Sequence, residues 1–425
     1  MRSGIVVVLL FAAPLWAQQP TKELTLADAE KLALQTNPRI AAARLTAAAA
    51  YEVPKELRAG TSPLVSGNVT GVGADSGSRI AAGALTNPVL YNRLATGVSF
   101  SQVLTDFGRT RDLVASANLR AQAQDQLTEM AKADILLATA HAYFSVLRAR
   151  AVLRVAQQTV QERQLVSDQV TALFNNQLKS QLDLSFANVN LADARLLVSQ
   201  AQNDEQSAEA SLAAVVGLPS DTVFTVFEEA MPDPLNATVD SFVQQALSDR
   251  PEIKDLRLEQ NAAERFAESE RSLSHPTISV AGAAGVAPVA ESKVPSNYSG
   301  VGINLNIPIL NGGLFRARRS EAELKEQAAG ERVNDLTLRV TRDVRVTYLN
   351  ATTAFERVGL TGELLSQAQL ALDLAQGRYD LGLSSIIELS QAQLNLTSAQ
   401  IANASARYEY QEQRVLIDYQ IGALH

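Results

Sequence analysis

One passage is written twice in this chain. Residues 172–194 match residues 377–399 at a constant offset of 205, with eight identities among the 23 aligned pairs. The same offset holds from Val98 to Gly217, whereas an offset of 213 relates Pro63 to Pro276. A duplicated chain must fold as two similar repeats. Eight extra residues in the first copy separate the two registers, and we expect them in a surface loop.

Proline placement predicts long helices in both copies. None of the 14 prolines lies between Val89 and Leu218 or after Pro308. A proline inside a helix costs about 3 kcal/mol, and both stretches are rich in Ala, Leu, Gln and Arg with apolar residues every three or four positions. We predict N-terminal caps at Asp106 and Asn311. The predicted helices comprise two long ones (about 106–175 and 311–380) and two return helices (about 180–215 and 385–421).

A pair of alternating segments precedes each long helix. In "VGINLNI", from Val301 to Ile307, apolar residues alternate with Gly and Asn. This pattern suits a strand between lipid and a wet lumen, but a sheet half buried on its own core shows the same alternation. Four strands cannot close a barrel alone, so in a membrane several chains would have to share one. The predicted strands cover about 64–74, 94–104, 277–287 and 298–309.

The N-terminus resembles a secretory signal peptide over residues 1–17. Arg2 precedes an apolar run, and "LWA" gives a cleavage site before Gln18. Because Gln18 is not a cysteine, no lipid attachment is expected there. The predicted mature chain then divides into a first repeat (18–217), an equatorial segment (218–249) and a second repeat (250–425).

Composition excludes several classes of function. The chain has no cysteine and a net charge of −8, which argues against thiolate chemistry and against nucleic acid as a partner. Its three histidines, His141, His275 and His425, are far apart in sequence. "GVGADSG", from Gly71 to Gly77, lacks the helix that a phosphate-binding loop requires. No nucleophile motif is present, so we expect neither an enzyme nor a cofactor or metal site.

The ordered set of motifs resembles the outer-membrane efflux proteins of Gram-negative bacteria, the TolC family. The resemblance rests on the duplicated layout, the opening "TLADAEKLALQTNPRI", the turns "LTDFG" and "ILNGG", and the passage "YDLGLSSIIEL". The resemblance implies a mainly α fold with membrane β-strands. In a homotrimer, the duplicated helical hairpins form an α-barrel tunnel in the periplasm, and four strands per chain form a shared 12-stranded β-barrel in outer-membrane lipid.

The same resemblance implies the function of an exit duct. The channel would serve a tripartite efflux or type I secretion system, with a periplasmic adaptor and an inner-membrane pump of the RND or ABC type. An alternative is a periplasmic adaptor or scaffold that never enters the membrane. An adaptor is expected to have one hairpin between β-domains, so the duplication favours the channel.

In the family, the turns between long and return helices form the periplasmic tip, which meets the adaptor and constricts the pore. The resemblance makes Glu388 and Gln391 the counterparts of acidic constriction residues, and Tyr379 that of a gating tyrosine. Ser384 replaces the arginine partner of that tyrosine; Lys179, with Asp183, is a substitute from the first copy. The predicted adaptor-contact positions are Asn176, Gln177, Leu178 and Lys179, and Leu381, Gly382, Leu383 and Ser384.

A purely local explanation also exists for the two acids. Ser180 with Asp183, and Ser385 with Glu388, have the spacing of capping boxes, in which the serine caps the helix and the acid bonds back to the serine N–H. Capping and gating are compatible, because a cap would hold the carboxylate at the pore end. Gly382 suits the left-handed end of a helix, so Gln177 in the first copy must adopt a different turn or bear strain.

Overall fold

The computed structural model describes residues 22–75, 78, 90–219, 222, 224–290, 292 and 295–424. The predicted signal peptide and His425 lie outside these residues, as does most of the loop that contains the eight extra residues. Among the described helices, none is both long and apolar enough to cross a membrane.

The duplication is visible in the bounds of the helices. Helices of matched length occur in pairs: two opening helices of 11 residues, two long helices of 67 and two return helices of 35. In the first repeat the helices are α1 (Leu26–Thr36), α2 (Pro38–Ala50), α3 (Val53–Ala59), α4 (Arg109–Asn175) and α5 (Gln181–Val215). Their counterparts are α6 (Val239–Asp249), which lies within the predicted equatorial segment, and α7 (Pro251–Arg271), α8 (Leu314–Asp380) and α9 (Ile386–Gln420) of the second repeat.

One proline explains a difference between the copies. Pro54 occupies the first turn of α3, where its missing N–H costs nothing, but it could not continue α2. At the offset of 213 its counterpart is Ala267, and α7 runs unbroken through that position. The first copy therefore has two short helices where the second has one.

Strands β2 (Leu64–Val72), β3 (Arg93–Thr105), β5 (Thr277–Ala290) and β6 (Asn297–Asn306) form one antiparallel sheet in the order β2-β3-β5-β6. Large apolar side chains on its strands are exposed, including Val301 at 80% and Ile303 at 75%. The Tyr298 ring lies across Gly97 and Gly285 of two adjacent strands, where any Cβ would overlap it.

A second, two-stranded sheet is anchored by a buried tyrosine. Strands β1 (Lys22–Leu24) and β4 (Phe224–Val226) pair in parallel. The Tyr143 hydroxyl donates to the Phe227 carbonyl at 2.8 Å, accepts from the Phe227 N–H at 3.2 Å and lies 3.1 Å from the carbonyl oxygen of Leu24. Burial raises the pKa of Tyr143 to about 12, so the hydroxyl stays protonated as a donor. Tyr143 thereby ties the start of the described chain to the segment after β4.

The chain divides into two compact units. Of the described residues, one unit contains those up to Thr36 together with 138–233 and 354–412, and so includes α5, most of α9 and the turns that precede them. The other contains the described residues of 37–137, 234–353 and 413–425, with the four-stranded sheet. Helices α4, α8 and α9 belong in part to each unit.

Candidate functional site at the helical turns

The turns after α4 and α8 have the same hydrogen bonds. The N–H of Leu178 donates to the Leu173 carbonyl at 2.9 Å, and that of Leu383 donates to the Arg378 carbonyl at 2.8 Å. Inside each of these, a second bond closes a smaller loop. The Gln177 N–H donates to the Phe174 carbonyl at 2.8 Å, and the Gly382 N–H donates to the Tyr379 carbonyl at 3.0 Å. This pair of bonds defines a Schellman motif, which satisfies the last carbonyls of a helix. We call the two turns tip 1 (residues 176–180) and tip 2 (residues 381–385).

Gln177 bears the conformation that glycine provides in tip 2. Its φ is +62°, close to the +72° of Gly382. We expected either a different turn or a strained residue at this position. The turn keeps the geometry of tip 2, so Gln177 is strained. A left-handed conformation costs a residue with a Cβ about 1–2 kcal/mol.

The ends of the tips are apolar and exposed. Leu178 is 70% exposed, Leu381 76% and Leu383 67%. Asn176 is also exposed, but its side-chain amide donates to the Ala172 carbonyl at 2.8 Å and so supports the turn. Three of the predicted contact positions are thus exposed leucines, while the side chain of Asn176 is engaged within its own turn.

Tyr379 lies in a buried cluster with residues of the other repeat. The cluster also contains Val166, Val170, Ala187, Ile386 and Leu389. The Lys179 ammonium stands 4.3 Å from the centroid of the Tyr379 ring, within the range of a cation–π interaction. Lys179 is therefore the residue of tip 1 that contacts the predicted gating tyrosine.

The hydroxyls of Tyr379 and Ser384 are both buried, and neither has a hydrogen-bond partner among the described residues. Burial, and then the charges of Asp183 and Asp380, raise the pKa of Tyr379. A hydroxyl in this state is neutral and available as a donor. Within the described chain, Lys179 contacts the ring of Tyr379, whereas the Tyr379 hydroxyl has no hydrogen-bond partner.

The first capping box is complete. The Ser180 Oγ accepts from the Asp183 N–H at 3.1 Å, and the Asp183 carboxylate accepts from the Ser180 N–H at 3.0 Å and from its hydroxyl at 2.7 Å. The Ser180 side chain, then its N–H, and more weakly Lys179, lower the pKa of Asp183. The carboxylate of Asp183 is thus held at the start of α5.

The second box is only half formed. The Ser385 Oγ accepts from the Glu388 N–H at 3.4 Å, but the Glu388 carboxylate turns to Arg378, with 3.2 Å between its Oε1 and the arginine Nε. The Arg378 Nη2 also donates to the Leu383 carbonyl at 3.5 Å. Sequence reasoning missed Arg378 because it lies ten residues before Glu388 on another helix. The only signal was opposite charge on either side of a predicted turn.

Gln391 lies one turn beyond Glu388 on α9, where it is exposed. Its amide donates to Asn395 Oδ1 at 2.9 Å along the same helix. Of the acidic pair that the family resemblance suggested, this chain therefore has one carboxylate, Glu388, and one amide.

At the other end of the long helices the two predicted caps differ. The Asp106 carboxylate accepts from the N–H groups of Gly108 at 3.3 Å and Thr110 at 2.8 Å, which fixes the first turn of α4. Asn311 provides its backbone carbonyl to the Leu314 N–H at 3.1 Å. Within the described residues its side chain makes no hydrogen bond, so the backbone and not the side chain of Asn311 supports the start of α8. Two glycines in left-handed conformations, Gly312 and Gly313, form that turn instead.

The two histidines in the described part of the chain each have a different neighbour. His141 lies 3.5 Å from the Glu412 carboxylate, and His275 stacks edge-on with Phe107 at 6.2 Å between ring centroids. In the described part of the chain, no cluster of three His, Cys, Asp or Glu side chains could hold a metal ion.

The model of the outer membrane efflux protein family matches residues 30–218 and 242–423. The outer membrane protein TolC of Salmonella enteritidis is 24% identical over 423 residues, covering 94% of this chain and 84% of TolC. TolC of Escherichia coli K12 is 25% identical over 413 residues, covering 92% and 80%. The solved structure of the outer membrane protein VceC of Vibrio cholerae is similar with a TM-score of 0.78 at 19% identity, covering 93% of this chain and 96% of VceC.

The duplicated hairpins, the four-stranded sheet and these similarities define an outer-membrane efflux channel with a helical tunnel. This chain belongs to the outer membrane efflux protein family. The alternative prediction of a periplasmic adaptor is wrong, because the family match extends over both repeats. The family is one of channels and not of enzymes.

Proposed function

We propose that three copies of this chain form the exit duct of a tripartite efflux or type I secretion system. Their twelve strands close one barrel in outer-membrane lipid, and their helices form the periplasmic tunnel. An adaptor protein contacts the tips, and an inner-membrane pump of the RND or ABC type delivers the substrate. The signal peptide over residues 1–17 directs export.

The observation that carries this proposal is a sheet with two open edges and an exposed apolar surface. In the order β2-β3-β5-β6 both β2 and β6 have one unpaired side within the described sheet. Unpaired strand edges are not tolerated in lipid. Because neighbouring strands are antiparallel throughout, β6 of one copy can pair antiparallel with β2 of the next.

The duplication predicts the register of that contact. Within the chain, the second strand of repeat 1 pairs with the first strand of repeat 2, and Phe100 lies opposite Gly282. Adding 205 to the first position and subtracting 213 from the second gives Leu305 opposite Val69 of the next copy. The contact between copies would thus repeat the contact between repeats.

Cross-linking tests the assembly and its register together. The chain has no cysteine, so Leu305→Cys with Val69→Cys is a clean pair. In intact outer membranes we expect mild oxidation, or a short bismaleimide, to yield a covalent trimer on denaturing gels. The matched control is Leu305→Cys with Val72→Cys, a shift of three residues on the same strand. Equal cross-linking of both pairs, or species that extend beyond trimers, would contradict the proposal.

For the tips we propose two roles. The exposed leucines at 178, 381 and 383 provide an apolar surface for the adaptor. Tip 2 and the adjoining helix ends line the constriction. Glu388 provides its carboxylate, and Arg378 is the cation that partly neutralises that carboxylate. Lys179 and Tyr379 hold the two tips of one chain together, which keeps the entrance narrow at rest.

A further inference from the structure

A cavity of about 340 Å³ lies among helices α4, α5 and α9. Its lining includes five apolar residues, Phe186, Ala194, Leu197, Ile387 and Leu394. The other lining residues are polar or charged (Thr159, Arg163, Asn190, Asp193, Ser390, Gln391 and Thr397). Its volume falls within the range of small-molecule sites. All these residues belong to one chain.

Arg163 is the unusual residue of this cavity. It is only 6% exposed, and its Nη1 is buried without a hydrogen-bond partner in the described part of the chain. Burial lowers the pKa of Arg163, and the charges of Glu162 and Asp193 only partly offset this. Among the described residues, no carboxylate lies within 4.0 Å of its nitrogens. A buried charge whose donor lacks a hydrogen-bond partner is costly, so an anion bound directly to Arg163 would offset part of that cost.

Most of the other polar groups of the cavity are already paired. The Asn190 amide donates to Ser390 Oγ at 2.7 Å, and the Thr159 and Thr397 hydroxyls are 3.3 Å apart. Gln391 donates along its own helix to Asn395. These bonds fix the shape of the cavity and leave Arg163 to interact with a ligand.

We propose that this cavity binds an organic carboxylate with an apolar tail. The guanidinium of Arg163 presents two parallel N–H donors to a carboxylate, a geometry that a neutral ligand cannot use. The tail lies against Phe186, Ile387 and Leu394. Asp193, which also lines the cavity, repels a second negative charge and so favours monovalent ligands.

Calorimetry with a matched pair of probes tests the site. The full-length chain in lipid nanodiscs is titrated with 4-butylbenzoate and with its neutral isostere, 4-butylbenzamide, and titrations of empty nanodiscs are subtracted. We expect the acid to bind at least tenfold more tightly than the amide. Arg163→Met should abolish this preference, whereas Arg163→Lys should retain part of it. The control Arg339→Met removes the same charge from an exposed arginine and should bind like the parent.

The variant Asp193→Asn distinguishes ligand binding by Arg163 from a purely structural role of that residue. Removing the repelling carboxylate should tighten binding of the acid several-fold and leave the amide unaffected. If Arg163→Met fails to fold, the results for Arg163→Lys and Asp193→Asn decide. Absence of binding to the parent, equal affinity for acid and amide, or weaker binding of the acid by Asp193→Asn would each overturn the proposal.

Discussion

At the scale of single residues, Gln177 is strained at a position where the second copy of the repeat has glycine. Tips 1 and 2 share their hydrogen bonds and a left-handed residue, yet only tip 2 has glycine there. No heavy atom lies within 4 Å of a Cβ built on Gly382, so neighbours do not decide the residue type. The cost at Gln177 is therefore one of backbone conformation alone.

This predicts that the two tips can be exchanged. Gln177→Gly should stabilise tip 1 by about 1 kcal/mol, and Gly382→Gln should destabilise tip 2 by a similar amount. Amide hydrogen exchange of the residues around each tip measures both, and about 1 kcal/mol corresponds to roughly fivefold in the exchange rate. Faster exchange of tip 1 in Gln177→Gly would show that the glutamine side chain has a stabilising contact.

The capping box of Asp183 predicts a dependence on pH. Its pKa is lowered in the folded chain, so it stabilises the start of α5 above the unfolded pKa of about 4. That contribution is lost as the pH falls through the lowered, folded pKa. Asp183→Asn should therefore exchange faster than the parent at the start of α5 at pH 7, and the difference should shrink below pH about 4. An equal difference at both pH values would mean that Asp183 acts otherwise.

At the scale of elements, the return helices end on glycines with a packing role that the tips lack. Gly217 and Gly422 both have φ of +74°. A Cβ on Gly217 would come within 3.0 Å of the Thr36 carbonyl oxygen, and one on Gly422 within 2.9 Å of the Arg250 nitrogen. Each glycine thus lets the end of a return helix pack on the end of a short helix of the opening segment of its repeat.

A comparison of alanine variants separates strain from packing. Gly382→Ala adds only backbone strain, about 1–2 kcal/mol, whereas Gly217→Ala adds the clash with Thr36 as well. We expect a clearly larger fall in the midpoint of thermal unfolding for Gly217→Ala, measured in detergent by circular dichroism. Equal falls would mean that the main chain at Thr36 moves aside without cost.

At the scale of the whole molecule, the proposed pore depends on one ion pair per chain. Arg378 and Glu388 are both partly exposed, so their attraction is screened and weak. Its importance would lie in the charge presented to permeating ions and not in stability. In a trimer there would be three such pairs at one constriction.

Channel recordings test this with two opposite changes. Glu388→Gln should lower cation selectivity and block by divalent cations, whereas Arg378→Gln should raise both, because it leaves the Glu388 carboxylate unpaired. Single-channel conductance in planar bilayers measures both, with Arg339→Gln as an exposed arginine control far from the tips in sequence. If Glu388→Gln matches the parent in conductance, selectivity and block, Glu388 does not line the constriction.

The sequence by itself determined the architecture. The offsets of 205 and 213, the proline-free stretches and the alternating segments are local features, because helix and strand formation follow from periodicity and from where proline is absent. Even the break between α2 and α3 follows from Pro54. The half-formed capping box at Glu388 and the missing side-chain cap at Asn311 could not be predicted, since spacing does not tell which partner a side chain selects.

Only the tertiary structure decided how residues distant in sequence combine. It placed Lys179 over Tyr379, turned Glu388 toward Arg378 and buried Arg163 without a partner. Each of these depends on how different helices pack against one another, and one apolar stripe is compatible with several such arrangements. Periodicity specifies which face of a helix is buried, but the neighbour against which it is buried is set by packing of the whole chain.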